Sequence, residues 1–121
     1  METRHAHHPD QVRAMDTADL RRSFLIEDLF RPGELRSVYS HVDRVIAGSA
    51  VPLGATLELA ASRELGVEYF LQRRELGILN LGAAGTVRVD GCDHPLGKRD
   101  GLYVGRGTRE VSFRSADAAI P

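Results

Sequence analysis

Residues 75–91 of the 121-residue chain, ELGILNLGAAGTVRVDG, constrain the fold more than any other stretch. An apolar run is followed by a glycine-rich segment, GAAG at 82–85, and then by TVRV, in which polar and apolar residues alternate. Alternation with period two places successive side chains on opposite faces of a strand, and Asp90-Gly91 is a strong hairpin signal. The stretch therefore predicts short strands, with GAAG as the turn that connects two of them.

The remainder of the chain continues this pattern. About eight short strands at regular spacing, together with 12 glycines, predict an all-β fold, specifically a cupin-like antiparallel sandwich or jelly-roll barrel. Asp16 offers an N-cap oxygen to a short N-terminal helix, ADLRRSF, and Gly66 ends a single helical turn in SRELG. The predicted strands are FLIEDLF, LRSVYSHVDRVIAGSAV, GATLELA, VEYFLQRR, LGILNL, TVRV, LYV and EVSF.

The predicted domain organisation follows from the position at which the pattern of predicted helices and strands begins. Residues 1–15 show no period and are predicted to be a flexible N-terminal arm, in which a cluster of three histidines suggests only adventitious metal binding. Residues 16–121 are predicted to form one cupin-like β domain. The tail SADAAIP stops without a polar terminus, which suggests that the domain is the first half of a longer protein.

Composition narrows the classes of partner. A net charge of −1 gives no global field that favours nucleic acid or an anionic membrane surface. Lys98 is the only lysine among 16 basic residues; this arginine bias fits carboxylate recognition, but a GC-rich genome explains it more simply. The single cysteine excludes an internal disulfide, and with no signal peptide pattern the expected compartment is the cytoplasm.

Residues 68–100 have the spacing of the two metal motifs of cupin barrels but lack their histidines. Those motifs have the forms H-x-H-x(3,4)-E and P-x-G-x-x-H, and the H-x-H spacing places two imidazoles on one strand face. The corresponding positions here hold Glu68, Phe70, Glu75 and Asp100. The simplest interpretation is a cupin-like barrel with no metal of its own. The alternative is that the three carboxylates bind a hard cation.

Four stretches of the chain together resemble one specific family. They are LRRSFLIEDLF, VYSHVDRVIAG, LGVEYFLQRRELGILNLGAAGTVRVDG and KRDGLYVGRGTREVSF. They resemble the N-terminal part of the 5-keto-4-deoxyuronate isomerases, also called 4-deoxy-L-threo-5-hexosulose-uronate ketol-isomerases, from about residue 13 to 117. This resemblance implies a two-cupin, homo-oligomeric enzyme of pectin and uronate breakdown, acting on a sugar acid. It also implies a zinc ion held by the second half, so that no metal or other cofactor is expected in this chain.

The reaction that the resemblance implies needs a proton shuttle and stabilisation of an enediolate, and a uronate carboxylate favours arginine. The residues of this half that are candidates to meet such a site are Tyr39, His41, Asp43, Arg44, Arg73, Arg74 and Glu75. Each of them is equally explained as an interior or interface contact, and His41 with Asp43, two apart on a strand, as a hydrogen-bonded pair.

Alternatives to the ketol-isomerase remain at the level of sequence. The chain could belong to a related enzyme, such as the 5-deoxyglucuronate isomerase of inositol breakdown. It could instead be a non-catalytic assembly module or an inactive remnant. By itself, the 121-residue chain is expected to be inactive.

Overall fold

The computed structural model describes residues 1–121, and most of its regular structure is β-strand. The helices are α1 (Pro9–Arg13) and α2 (Thr17–Phe24), and Arg63–Leu65 forms one 3-10 turn. The strands are β1 (Glu2–Arg4), β2 (Leu35–Ser40), β3 (Val45–Ala50), β4 (Leu57–Glu58), β5 (Leu76–Leu79), β6 (Gly85–Val89), β7 (Cys92–Leu96), β8 (Gly101–Val104) and β9 (Val111–Ser115). The predicted all-β class is confirmed.

The strands form three sheets. The outer sheet has the order β1-β2-β3, the core sheet has the order β4-β9-β6-β7, and β5 with β8 makes a two-stranded ribbon. All pairings are antiparallel except that of β1 with β2. The sheets do not close into a barrel.

The β6–β7 hairpin forms as the sequence predicts. Asp90 and Gly91 have φ angles of 44° and 86°, and Val89 pairs with Cys92 across the two-residue turn. Two successive positive φ angles match the right-handed twist of the flanking strands. The Asp90 carboxylate also accepts hydrogen bonds from the backbone N–H groups of Arg109 (3.0 Å) and Glu110 (2.8 Å). The turn is thereby tied to the start of β9.

Residues 82–84 connect β5 to β6, as the sequence predicts, but these two strands do not pair with each other. Strand β5 pairs with β8, whereas β6 pairs with β7 and β9, so this segment carries the chain from the ribbon to the core sheet. The Asn80 side chain fixes the crossing, since its Nδ2 donates to the carbonyls of Ala83 (2.6 Å) and Gly97 (3.0 Å). Alternation along a strand identifies its faces but does not identify its partner.

Two of the predicted strands are not strands. VEYFLQRR is a series of turns and bends in which the successive residues Phe70 and Leu71 are both buried. A strand would direct these neighbours to opposite faces. FLIEDLF does not pair with any strand either. Its first residue, Phe24, is the last residue of α2, and Asp28 adopts a φ of 54°, which is not an extended conformation. The helix α2 itself was predicted, with the Asp16 side chain accepting from Asp19 N–H (2.8 Å) at its N-cap.

The core lies beside the core sheet and the ribbon. Eight residues are buried, and six of them form a single cluster: Phe70, Leu71, Val87, Leu96, Val104 and Val111. From the outer sheet only Ile46 packs against this cluster. The outer sheet is therefore attached to the rest of the molecule mainly at one side.

Residues 1–15 contain regular structure that their sequence did not predict. Strand β1 pairs in parallel with β2, and α1 begins with a cap in which His8 Nδ1 accepts from Asp10 N–H (3.2 Å). Strand β1 pairs through its backbone, which places no requirement on its side chains, so its sequence shows no alternation of polar and apolar residues. The division into a flexible arm and a domain stays a prediction. Neither helix has the length and apolarity needed to cross a bilayer.

Candidate functional site

A large groove separates the outer sheet from the ribbon and the core sheet. It has a volume of about 940 Å³, and 18 of its 34 lining residues are hydrophobic. Ligand sites in proteins have this size and a mostly apolar lining with a few polar groups. Three of the seven candidate residues predicted from the sequence line it, namely Arg44, Arg74 and Glu75. The groove is therefore the candidate site.

Arg74 lines this groove and contacts the hydrophobic core. Its guanidinium carbon lies 5.7 Å from the centre of the Phe70 ring, within the range of a cation–π contact. Phe70 is only 7% exposed and belongs to the core cluster. The position that holds a histidine in a metal-binding cupin thus holds a core side chain that supports an arginine.

Glu75, the next residue, is directed to a different partner. Its carboxylate raises the pKa of Tyr103, chiefly because the neutral hydroxyl donates a hydrogen bond to it and secondarily through partial desolvation and charge repulsion. Tyr103 lies on β8, where its backbone faces Gly77 of β5. The ribbon thus brings together a carboxylate and a phenol, two groups that are able to exchange a proton.

Tyr39 and His41 are brought together, but outside the groove. The His41 ring stacks on His5 at 4.8 Å between centroids, and the Tyr39 ring meets His41 edge-on at 4.9 Å. The backbone N–H of His41 donates to the carbonyl of Arg4 (2.9 Å), which continues the β1–β2 pairing. These contacts link the N-terminal segment to the outer sheet.

The remaining candidate residues are dispersed. Asp43 and Arg44 lie in the β2–β3 turn, with φ angles of 56° and 53°, so the prediction that His41 and Asp43 share one strand is wrong. Residues 35–51 alternate on both sides of this turn, which concealed it in the sequence. Arg73 is exposed and does not line the groove.

The three carboxylates of the alternative cation site do not converge. Asp100 is used in a turn, where its Oδ2 accepts from the Gly97 N–H at 2.7 Å. Glu75 faces Tyr103, and no group of three metal-ligating side chains is assembled in the structure. Since Phe70 is a core residue, the donor set at the cupin motif positions does not fit a zinc ion.

Sequence reasoning missed Tyr103 and Asn80. Asn80 holds the groove wall, because its Nδ2 donates to three carbonyls and its Oδ1 accepts from the Gly82 N–H (3.1 Å). The sequence contained one signal for Asn80, which is a polar amide between Leu79 and Leu81 in an otherwise apolar run. Tyr103 gave no signal, since its proximity to Glu75 depends on the β5–β8 pairing.

Comparison with known proteins finds similar proteins that share one name. The chain is 50% identical over all of its 121 residues to the 4-deoxy-L-threo-5-hexosulose-uronate ketol-isomerase of Lachnoclostridium phytofermentans. It is 50% identical to the enzyme of the same name from Caldicellulosiruptor bescii and 46% identical to that from Escherichia coli. The resemblance to the uronate ketol-isomerases is confirmed.

The match covers only part of these relatives. The chain spans 44% of the length of each of the three ketol-isomerases, as an N-terminal fragment. No protein-family model matches it. What the relatives' name describes therefore belongs to proteins more than twice as long.

Proposed function

We propose that the chain is the N-terminal part of a uronate ketol-isomerase. In this role it interconverts 5-dehydro-4-deoxy-D-glucuronate and 3-deoxy-D-glycero-2,5-hexodiulosonate together with a second part. The observation that carries the proposal is identity of 46–50% along the whole chain with curated ketol-isomerases from several bacteria. The match covers all 121 residues of the chain, so the region compared includes the groove and the turns described above.

The architecture supports a cupin-like assignment of this part. The Asp90-Gly91 turn joins β6 to β7 within the core sheet, and the turn at Gly97 leads from β7 to the ribbon strand β8, so both turns lie where the spacing of the cupin motifs expects them. The chain supplies no metal ligand in this proposal, and the zinc ion that the resemblance implies is held by the second part. Elemental analysis of the purified chain tests this, and one zinc per chain would contradict it.

The residues of the groove have defined roles in the proposal. Arg74 is positively charged and lines the groove, so it suits the carboxylate of a sugar acid. Glu75 also lines the groove, where its carboxylate is a proton acceptor, and the exposed Tyr103 beside it lies outside the groove lining. The cytoplasm is the compartment we propose for this metabolic reaction.

A chimera tests the proposed function. The matching N-terminal part of the Lachnoclostridium phytofermentans enzyme is replaced by this chain, and ketol-isomerisation is measured for the chimera, for the chain alone and for the remaining part alone. We expect activity in the chimera and none in either part. Full activity of the remaining part alone would contradict the proposal, as would an inactive chimera with the circular dichroism of the parent enzyme.

A second candidate function is that of an assembly module without a catalytic role. Large apolar side chains on the ribbon and near it are exposed, with Leu79 at 61% and Leu81 at 56%. Apolar residues at an open sheet edge favour pairing with a further strand, including that of another copy. Sedimentation equilibrium distinguishes this candidate, since a monomer at all concentrations contradicts it.

A further inference from the structure

Strands β3 and β5 each have one edge that pairs with no other strand. Strand β3 is the last strand of the outer sheet and pairs only with β2, while β5 pairs only with β8. Residues of both strands line the groove, so the two strands border the same space. An unpaired edge presents a row of backbone N–H and C=O groups to which a further strand can add.

The backbone hydrogen bonds show which amides lie on the two free edges. The N–H of Val51 donates to the carbonyl of Glu34 on the β2 side (3.1 Å), and the N–H of Asn80 donates to the carbonyl of Asp100 on the β8 side (2.9 Å). Successive N–H groups of a strand point to opposite edges, so every second amide points away from the present partner. By the pairing register, these free-edge amides are those of Ile46, Gly48, Ala50, Gly77 and Leu79.

The chain also exposes more surface than a compact protein of its mass. Its accessible surface is 8202 Å² at a mass of 13.3 kDa, whereas a compact monomer of this mass exposes about 6,500 Å². The difference, about 1,700 Å², is of the size that an obligate interface removes from one partner. Three large apolar side chains of the groove lining, Val45, Leu79 and Leu81, are more than half exposed. The groove is therefore a surface that a partner covers.

The position of Pro121 indicates which polypeptide that partner is. Pro121 lines the groove, and its carbonyl group lies so close to Gly82 that a Cβ on Gly82 would overlap it. Gly82 follows the C-terminal end of β5. In the ketol-isomerases that the chain resembles, the matched part is N-terminal and makes up 44% of the length, so their polypeptide continues beyond it. A polypeptide that continues from Pro121 along β5 runs antiparallel to this strand.

We propose that the groove receives one β-strand from the second part of the ketol-isomerase, and that this strand inserts between β3 and β5. The inference rests on the proposed function, because it takes the chain to be the N-terminal part of a longer enzyme. Strands β3 and β5 have six and four residues, so a segment of similar length pairs with both. The outer sheet and the ribbon then form one continuous sheet opposite the core sheet. The groove becomes an enclosed pocket only when the second part is present.

The experiment compares amide hydrogen exchange in the 121-residue chain with that in the chimera, in which this chain precedes the second part of the Lachnoclostridium phytofermentans enzyme. We expect the free-edge amides of β3 and β5 to exchange at least about 10-fold more slowly in the chimera, because each of them gains a hydrogen-bond acceptor. Dilution of the chain alone should leave its exchange unchanged.

A pair of glycine-to-proline variants of the chimera provides the matched control. Gly77→Pro removes an N–H from the groove edge of the ribbon, and Gly101→Pro removes one from the opposite edge; by the alternation, neither N–H takes part in the β5–β8 pairing. A Cβ on Gly77 has no atom within 4 Å, and one on Gly101 has only an ordinary contact at 3.5 Å. We expect Gly77→Pro to abolish the slowing at Leu79 and Gly101→Pro to retain it.

Three results would overturn the proposal. The first is equal exchange of the free-edge amides in the chain and the chimera. The second is equal slowing at Leu79 in the two proline variants, both folded by circular dichroism; Ala50→Pro makes the same test on β3 if Gly77→Pro does not fold. The third is slow exchange of these amides in the chain alone that is lost on dilution, since a second copy then occupies the groove.

The failure of this proposal is distinguishable from that of the proposed function, because isomerisation is measured separately on the same chimera. A folded chimera with slowed free-edge amides and no isomerase activity contradicts the proposed function alone. An active chimera without slowed amides contradicts only the inserted strand.

Discussion

The outer sheet and the core sheet each contain a valine, and the two valines are equally buried, but only one of them belongs to the core cluster. Val38 of the outer sheet and Val87 of the core sheet are both 5% exposed. Val87 belongs to the six-residue core cluster, whereas Val38 does not. Burial of one side chain thus differs from membership of a continuous core, since each side chain in a cluster contacts several others, and its truncation removes contacts from all of them. The groove lies between these two regions.

The largest expected effect lies at the centre of the core cluster. Leu71 is 1% exposed, and Leu71→Ala removes three carbon atoms from this closely packed site. We expect the free energy of unfolding to fall by about 2–5 kcal/mol, measured by urea denaturation. Leu79→Ala is the control, because Leu79 is 61% exposed and its truncation should change stability by less than about 0.5 kcal/mol. Equal losses in the two variants would show that the cluster is not the stabilising centre.

The next largest effect on stability is expected at Asn80, on the core side of the groove. Asn80→Ala removes the side-chain donor that the carbonyls of Ala83, Leu96 and Gly97 share. We expect a loss of about 1–3 kcal/mol in the free energy of unfolding, and faster amide exchange of Gly82. Asn80→Asp is the control variant, because it keeps the size but exchanges the donor for an acceptor; stability equal to that of the parent would contradict the role of the Nδ2 group.

The two valines provide the direct test of the comparison. Val87→Ala removes two carbon atoms from the cluster, and we expect global stability to fall by about 1.5 kcal/mol. Val38→Ala removes the same atoms from the outer sheet, where we expect a smaller change in the denaturation midpoint. Its effect should instead appear as faster hydrogen exchange confined to β1, β2 and β3. If the two variants lower global stability equally, the sheets form one cooperative unit and the distinction is wrong.

Features of the fold that depend on residues close together in the sequence were predicted, whereas features that depend on contacts between distant segments were not. Asp90-Gly91, the Asp16 cap and the turn ending at Gly66 were predicted because each is decided within a few residues. The partner of β5 was not predicted, since the choice of β8 over β6 depends on packing between distant segments. The burial of successive residues at 70 and 71 equally depends on what surrounds them.

The candidate site was predicted in part, for the same reason. Glu75 was identified from the cupin spacing and Arg74 from the reaction that the resemblance implies, and the structure places both at the groove. Tyr39 and His41 were identified by residue type alone, and the structure places them beside His5. Their roles stay predictions. The groove itself has no local sequence signal, because it is the space left between two sheets.

The smallest expected effect concerns the ribbon. Glu75 holds the pKa of Tyr103 above its ordinary value, so Glu75→Gln should bring this pKa back down. A raised pKa favours the folded state at pH values below the ordinary tyrosine pKa, and this contribution is lost as pH rises through the folded value. Ultraviolet difference titration of the tyrosines measures the change, with Glu68→Gln as the control. An unchanged titration curve would show that Glu75 and Tyr103 do not interact in solution.

The pairing of Leu57 in β4 with Phe113 in β9 has a consequence for the order in which the chain folds. The β2–β3 and β6–β7 hairpins join neighbouring segments, so each can form as soon as its own residues have left the ribosome. The β4–β9 pair closes a loop of nearly half the chain, and closing a long loop costs entropy before its contacts are made. We therefore expect β4 to remain an unpaired strand until β9 has been synthesised. The core sheet is then completed later than the outer sheet, although it contains most of the core cluster.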